Sequence, residues 1–166
     1  MTTRTPATKG KARLAKTTGG AAIGLLAVVA AFEGLSLMPY RDVVGIKTVC
    51  YGETRVAMRT YTKAECDEML ADGLADFAEG VLKRNPELRG HDPQLLAATS
   101  LAYNIGTGAY SRSTAARNFS RGKWRSACNA MLLWNRAGGR VVPGLAKRRE
   151  KERAICLRDI PAQFNS

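Results

Sequence analysis

An uncharged apolar run near the N-terminus constrains this chain more than any other feature. From Gly19 to Phe32 the chain holds only Gly, Ala, Ile, Leu, Val and Phe, and the run ends directly at Glu33. These 14 residues are fewer than the roughly 20 that span a bilayer comfortably, and the many Gly and Ala residues make the run only weakly hydrophobic. The run therefore suits a marginal membrane segment as well as a helix of a folded domain.

The residues before and inside this run leave three interpretations open. Residues 1–16 carry five basic side chains and no acidic one, which predicts a disordered tail of the kind that precedes an export signal. Residues 17–32 then form a cleaved signal peptide, a permanent anchor, or a weak anchor that later leaves the bilayer. Composition alone favours cleavage after the small residues Val29–Ala31. Cleavage there, however, would leave Glu33 two residues from a new N-terminus, with no helix to hold it.

Two carboxylates and a hydroxyl follow the run at short intervals. Glu33 ends the run, Asp42 lies nine positions later, and Thr48 lies six positions after that. A glutamate at the end of an apolar helix is poorly solvated, which favours its protonated form, whereas Asp42 lies among polar neighbours and should stay ionised. Carboxyl groups that differ in this way are the usual acid and base for cleaving glycosidic bonds. The spacing therefore suggests a glycoside hydrolase.

The charge balance narrows the choice of partner. The net charge of +12, from 26 basic and 14 acidic residues, indicates an anionic partner such as nucleic acid, a membrane surface or a cell-wall polymer. The chain has no RNP-like aromatic cluster and no glycine-rich phosphate loop, so we expect no nucleic-acid partner. The 166 residues support one domain, or one small lobe attached to a larger one, and we expect a monomer.

The cysteines predict disulfides rather than a metal site. The four cysteines form no CxxC pair and only one histidine is present, so we expect no metal and no cofactor. An even number of cysteines behind an export-like N-terminus favours disulfides, with three connectivities open. We prefer the local pairing, Cys50–Cys66 and Cys128–Cys156. The alternative is four reduced, buried cysteines in a cytosolic protein.

The remaining pattern predicts an α+β fold. Between Val43 and Glu53, β-branched and aromatic residues alternate with turn glycines, which predicts short strands within a small lobe at about 40–62. Thr62 and Glu65 form a capping box that opens a linking helix at about 63–84. A mostly helical lobe follows at about 92–157, ending in a basic helix. The cleft between two such lobes could hold a long polymer.

Taken together, these residues resemble the phage-type lysozymes, which are muramidases used as endolysins. The resemblance covers about residues 22–157 and implies a lysozyme-like catalytic domain at 33–166. It rests on the spacing of Glu33, Asp42 and Thr48, and on Tyr103-Asn104-Ile105-Gly106-x-Gly108, Ser111-x-Ser113-Thr114, Trp134 before Gly138-Gly139, and Gly144-Leu145-x-x-Arg148-Arg149-x-x-Glu152. One departure is Glu53, which stands where members of the family commonly have His.

The resemblance implies a role for each candidate residue. Glu33 would protonate the glycosidic oxygen between N-acetylmuramic acid and N-acetylglucosamine of peptidoglycan. Asp42 would stabilise positive charge at the anomeric carbon or activate water, and Thr48 would position that water. Asn104 and Arg148 would bind substrate. Arg148, or its neighbour Arg149, could instead pair with Glu33 or simply lie on a solvated basic face, and Asn104 could merely cap its helix.

Two alternative functions and one mode of export stay open. A lytic transglycosylase also uses a glutamate acid, and a cationic protein could bind cell wall or membrane without catalysis. The four cysteines and the apolar N-terminus further resemble the signal-anchor-release endolysins of lambdoid phages. This likeness implies that residues 17–32 first tether the protein to the inner membrane of a Gram-negative host. They then become the first helix of the enzyme released into the periplasm.

Overall fold

The computed structural model describes residues 9–166, in which helices surround two small antiparallel sheets and confirm the α+β fold class. The helices are α1 Gly10–Thr18, α2 Ala21–Glu33, α3 Lys63–Arg84, α4 Asp92–Ile105, α5 Thr107–Arg112, α6 Thr114–Ser120, α7 Trp124–Ala130 and α8 Pro143–Cys156. The strands are β1 Ser36–Arg41, β2 Lys47–Cys50, β3 Arg136–Ala137 and β4 Arg140–Val141. Short 3-10 turns lie at Pro86–Leu88, Met131–Leu133 and Ala162–Phe164.

The N-terminal segment differs from the disordered tail that its composition predicts. Residues 1–8 lie outside the described residues, but Gly10–Thr18 form a helix that packs along α3. Leu14 is buried in this contact, and the guanidinium of Arg13 forms ion pairs with three carboxylates on one face of α3, those of Asp72, Asp76 and Glu79. Propensity along the segment does not reveal this acidic face, so composition alone gave the wrong prediction for residues 10–16.

A break separates α1 from the apolar helix α2. Gly19 has a positive φ of 60°, and the axes of α1 and α2 are bent by 120°. The predicted segment 17–32 is therefore split, and its apolar part is the second helix of the described chain. No single helix within residues 9–166 combines the length and the apolar character that crossing a membrane needs. The bent pair formed by α1 and α2 has the required length and apolar character only when its two helices are taken together.

The small lobe is a hairpin whose turn lies where the sequence predicts strand. Strands β1 and β2 pair antiparallel, with Tyr40 opposite Thr48. Residues 43–45 form the turn because the carboxylate of Asp42 accepts hydrogen bonds from the backbone N–H groups of Val44 and Ile46. Gly45 supplies the positive φ of 83° that this turn requires. The β-propensity of residues 43–53 therefore predicted strands that begin several residues after the start of β1.

Helix α3 links the two lobes and spans the predicted residues. Its capping box is complete: Thr62 Oγ1 accepts from the Glu65 backbone N–H, and the Glu65 carboxylate accepts from the Thr62 backbone N–H. One face of α3 packs with α1, α2 and β2, and its C-terminal part packs into the helical lobe around α4. The chain contains both preferred disulfides, Cys50–Cys66 between β2 and α3 and Cys128–Cys156 between α7 and α8.

Candidate active site

Glu33 is the last residue of α2, and the fold fixes it from both sides. Gly34 follows with a positive φ of 71°, which turns the chain away into β1. Oε1 of Glu33 accepts a hydrogen bond from Nη1 of Arg148 at 2.7 Å, and a quarter (25%) of the Glu33 side chain is exposed. The guanidinium also lies over the ring of Phe32, 4.6 Å from its centroid. The ion pair with Glu33, one of the alternatives for Arg148, is therefore present in the structure.

The basic residues that pair with this site are buried, not solvated. Arg148 is 7% exposed, and Arg149 and Glu152 are fully buried where α8 packs on α4. Burial lowers the pKa of Arg149, and the charge of Glu152 opposes that shift. Asn104, at the exposed end of α4, accepts a hydrogen bond from Nη2 of Arg149 at 3.0 Å. The alternative of a solvated basic face is therefore wrong for Arg148 and Arg149.

Asp42 and Thr48 lie on the hairpin that follows Glu33. Asp42 opens the turn, and its Oδ1 accepts from two backbone N–H groups, at 3.0 Å from Val44 and 2.9 Å from Ile46. Thr48 is 3% exposed, and its hydroxyl donates to the Ile46 carbonyl at 3.1 Å. The hairpin thus holds both predicted side chains by hydrogen bonds to its own backbone, Asp42 before the turn and Thr48 in β2.

A cleft of about 290 Å³ lies beside Glu33, between the small lobe and helices α3 and α4. Glu33, Glu53, Arg55 and Tyr103 line it, together with apolar side chains of α3, whereas Asp42 and Thr48 are not among its lining residues. Burial, followed by the negative charges of Glu33 and Glu53, raises the pKa of Tyr103 to about 12. Tyr103 is therefore a neutral hydrogen-bond donor facing the cleft at any physiological pH.

Sequence reasoning gave no role to two of these cleft residues. Tyr103 is the first residue of the motif Tyr103-Asn104-Ile105-Gly106-x-Gly108, and its position directly before Asn104 is the sequence signal that could have identified it. Arg55 lies two residues beyond Glu53 in an irregular loop, and nothing in the local sequence marks it. Trp134, which lies in another of the family motifs, is partly buried against the core of the helical lobe.

Comparison with known proteins gives consistent matches over most of the chain. The family model described as Phage lysozyme matches residues 30–152. A SAR-endolysin of Enterobacteria phage P21 is 39% identical over 151 residues, which cover 84% of this chain and 90% of that protein. An endolysin from Escherichia coli O157:H7 phage FAHEc1 has a similar structure, with a TM-score of 0.72, 27% identity and coverage of 93% and 94%. The muramidase domain of SpmX from Asticaccaulis excentricus has a TM-score of 0.71 at 26% identity, covering 81% of this chain and 95% of that one.

Proposed function

Because this chain belongs to the phage lysozyme family, whose members lyse peptidoglycan, we propose that it hydrolyses the bond between N-acetylmuramic acid and N-acetylglucosamine. The observation that carries the proposal is the position of Glu33. Its carboxyl group stands at the end of α2, faces the interlobe cleft, and is anchored from behind by Arg148. A proton donor fixed at the wall of a cleft between two lobes is what cleavage of a glycosidic bond in a polymer requires.

Each remaining candidate residue has a distinct task in this mechanism. Protonated Glu33 gives its proton to the glycosidic oxygen as the bond to the anomeric carbon breaks. Asp42, held in place by two backbone N–H groups, stabilises the developing positive charge or takes a proton from the attacking water. The Thr48 hydroxyl donates its proton to the Ile46 carbonyl, so its lone pairs remain available to accept a hydrogen bond from that water.

Two further groups would contact the sugar directly. Tyr103 remains a neutral donor in the cleft and suits a sugar hydroxyl or an N-acetyl carbonyl. Asn104, which follows Tyr103 and is held by Arg149, is proposed to bind the N-acetyl group. Arg148 is buried against Glu33, so its task is to orient the acid, and contact with substrate is secondary.

The digestion of purified peptidoglycan tests this proposal. Hydrolysis leaves reducing muramic acid ends, whereas a lytic transglycosylase leaves anhydromuramic ends, and the two products differ in mass by one water. We expect reducing ends from the native protein and none from Glu33→Gln, which keeps the shape and removes the transferable proton. Glu150→Gln is the matched control, because Glu150 is exposed on α8. Anhydro products would establish the transglycosylase, and binding without products would establish the cationic binder.

We also propose that residues 17–32 act as a releasable anchor at the inner membrane. Relatives of this chain carry the name SAR-endolysin. In the folded protein, Ala21, Ala22, Leu25 and Val29 of α2 are buried in the core around α3. The same side chains can therefore be covered by lipid or by protein. On release into the periplasm, these side chains would leave the lipid and pack in the protein core, and Glu33 would then contact Arg148.

A further inference from the structure

Glu152 is a fully buried charged group near the candidate acid, and neither the proposed mechanism nor substrate binding uses it. Its side chain has no exposed surface. Oε1 accepts hydrogen bonds from three donors: Ser100 Oγ at 2.7 Å, Arg148 Nε at 3.2 Å and Arg149 Nη2 at 3.2 Å. Oε2 lies 2.8 Å from Arg149 Nε as an ion pair. A carboxylate buried at this density of partners fixes the groups around it.

Arg148 is the group that Glu152 fixes most directly. Its Nε donates to Glu152, its Nη1 donates to Glu33 at 2.7 Å, and its Nη2 donates to the Ser100 carbonyl at 3.4 Å. The planar guanidinium therefore binds Glu152 through Nε and the candidate acid Glu33 through Nη1. Because the plane is rigid, the position of Glu152 sets the direction in which Arg148 approaches Glu33.

This arrangement resolves a conflict in the charge of the site. A general acid must carry a proton before it reacts, but a guanidinium at hydrogen-bond distance favours the ionised carboxylate. Without Glu152, the guanidinium groups of Arg148 and Arg149 would lose the carboxylate that they share, and Glu33 would be the carboxyl group left at Arg148. Resting on the function proposed above, we propose that Glu152 is a positioning residue for the acid: it orients Arg148 and neutralises its charge, so that Glu33 can hold a proton.

The other charged groups near the pair do not replace this contribution. Glu53 and Arg55 face the cleft from the small lobe and oppose each other in sign. Lys151 lies 5.6 Å from the Phe32 ring centroid on the outer side of α2, and Tyr103 is neutral. Burial raises the pKa of Glu152, and the charge of Arg149 and the hydrogen bond from Ser100 oppose that rise.

The decisive measurement compares pH profiles of kcat/KM on purified peptidoglycan. Glu152→Gln keeps the shape of the side chain and removes its charge. The alkaline limb of the profile, where activity falls as Glu33 loses its proton, should therefore move to lower pH by about one unit. The value of kcat near neutral pH should fall about tenfold. KM should stay within about twofold, because the substrate is not touched. Glu150→Gln is the control: it makes the same charge change two residues away on α8, where the side chain is 63% exposed, and should leave the limb in place.

A second variant covers the case in which the buried substitution prevents folding. Ser100→Ala removes only the hydroxyl that donates to Glu152 Oε1 and leaves the backbone carbonyl that Arg148 contacts. It should move the alkaline limb in the same direction by a smaller amount. If Glu152→Gln folds and its alkaline limb stays at the native pH, the proposal is overturned. If Glu152→Gln does not fold, an unshifted alkaline limb in Ser100→Ala overturns it instead. Failure of the proposed function is separate, because it would appear in the products of the native protein.

Discussion

Oε1 of Glu33 lies 2.7 Å from Nη1 of Arg148, although the two residues are 115 positions apart in the chain. One belongs to the end of the apolar segment and the other to the last helix. The contact therefore forms only when α2 lies on the helical lobe. The proposed anchored state, in which this segment lies in a bilayer, would leave the candidate acid without its partner and so would couple the location of the protein to its activity.

Arg148→Gln tests the structural side of this contact. Removing the guanidinium leaves Glu152 buried with Arg149 as its remaining cation, and breaking a buried ion pair costs about 3 kcal/mol or more. We expect a lower urea midpoint and at least a tenfold loss of lytic activity. Lys147→Gln, on the exposed side of the same helix, should change neither. A native midpoint for Arg148→Gln would contradict the importance of the pair.

Substitution of Thr48 separates its hydroxyl from its packing. Thr48→Val keeps the volume and removes the hydrogen bond to the Ile46 carbonyl, at a stability loss of about 1 kcal/mol. Activity should fall at least tenfold because the water is no longer positioned. Thr48→Ser restores the hydroxyl and should recover most of that loss. Equal activity of the Val and native proteins would leave Thr48 a packing residue only.

The two disulfides should form after export and stabilise the lobes separately. Cys50 and Cys66 are 16 positions apart, so closing this loop is worth about 3 kcal/mol in the chain-entropy model. Replacing both residues by Ala should lower the free energy of unfolding by about that amount, as measured in urea. Peptide mapping of the periplasmic protein checks the pairing. Four free thiols, or a crossed pair such as Cys50–Cys128, would refute it.

The anchor proposal is tested by raising the hydrophobicity of α2 where the fold tolerates it. Ala27 and Ala31 are exposed in the folded protein, so Ala27→Leu with Ala31→Leu should leave packing intact and favour the bilayer. Gly24 is unsuitable, since a Cβ there would lie 3.0 Å from Leu96 Cδ1. We expect the double variant to stay in the membrane fraction and to lyse slowly.

Two controls complete the anchor test. Ala27→Ser with Ala31→Ser lowers hydrophobicity at the same positions, so this protein should appear in the soluble fraction earlier than the native one. N-terminal sequencing of the soluble native protein should find residues 17–32 intact. A soluble form that begins at Phe32 would mean ordinary signal cleavage and would end the release hypothesis.

Glu65 gives a pH-dependent prediction for the linking helix. Its ion pair with Arg59, and then its bond from the Thr62 backbone N–H, lower the pKa of the Glu65 carboxyl to about 2. A lowered folded-state pKa means that the stabilisation is present above the unfolded value of about 4.3 and is lost as the pH falls toward 2. The melting temperature of Glu65→Gln should therefore lie below that of the native protein at pH 6 and approach it near pH 2. A constant difference across this range would contradict the assignment.

The sequence by itself determined the features that depend on neighbouring residues. The capping box of Thr62 and Glu65 opens α3 at the predicted residue, because a cap is satisfied within one helical turn. The preferred cysteine pairs match those in the structure because each joins segments close in the chain. The spacing of Glu33, Asp42 and Thr48 carried the likeness to the lysozyme family. The roles of these three residues stay predictions until the variants are measured.

Only the tertiary structure decided what surrounds these residues. Residues 10–16 become helical because Arg13 finds a row of carboxylates on α3, about 60 positions away. Arg148 and Arg149 are buried because Glu152 and Ser100 receive them, whereas the sequence of α8 shows only a basic helix. Burial and ion pairing depend on which distant surfaces meet, and no local pattern encodes that meeting. The sequence thus identified the candidate acid, and the packing of α2 and α8 on α4 brought the guanidinium of Arg148 to it.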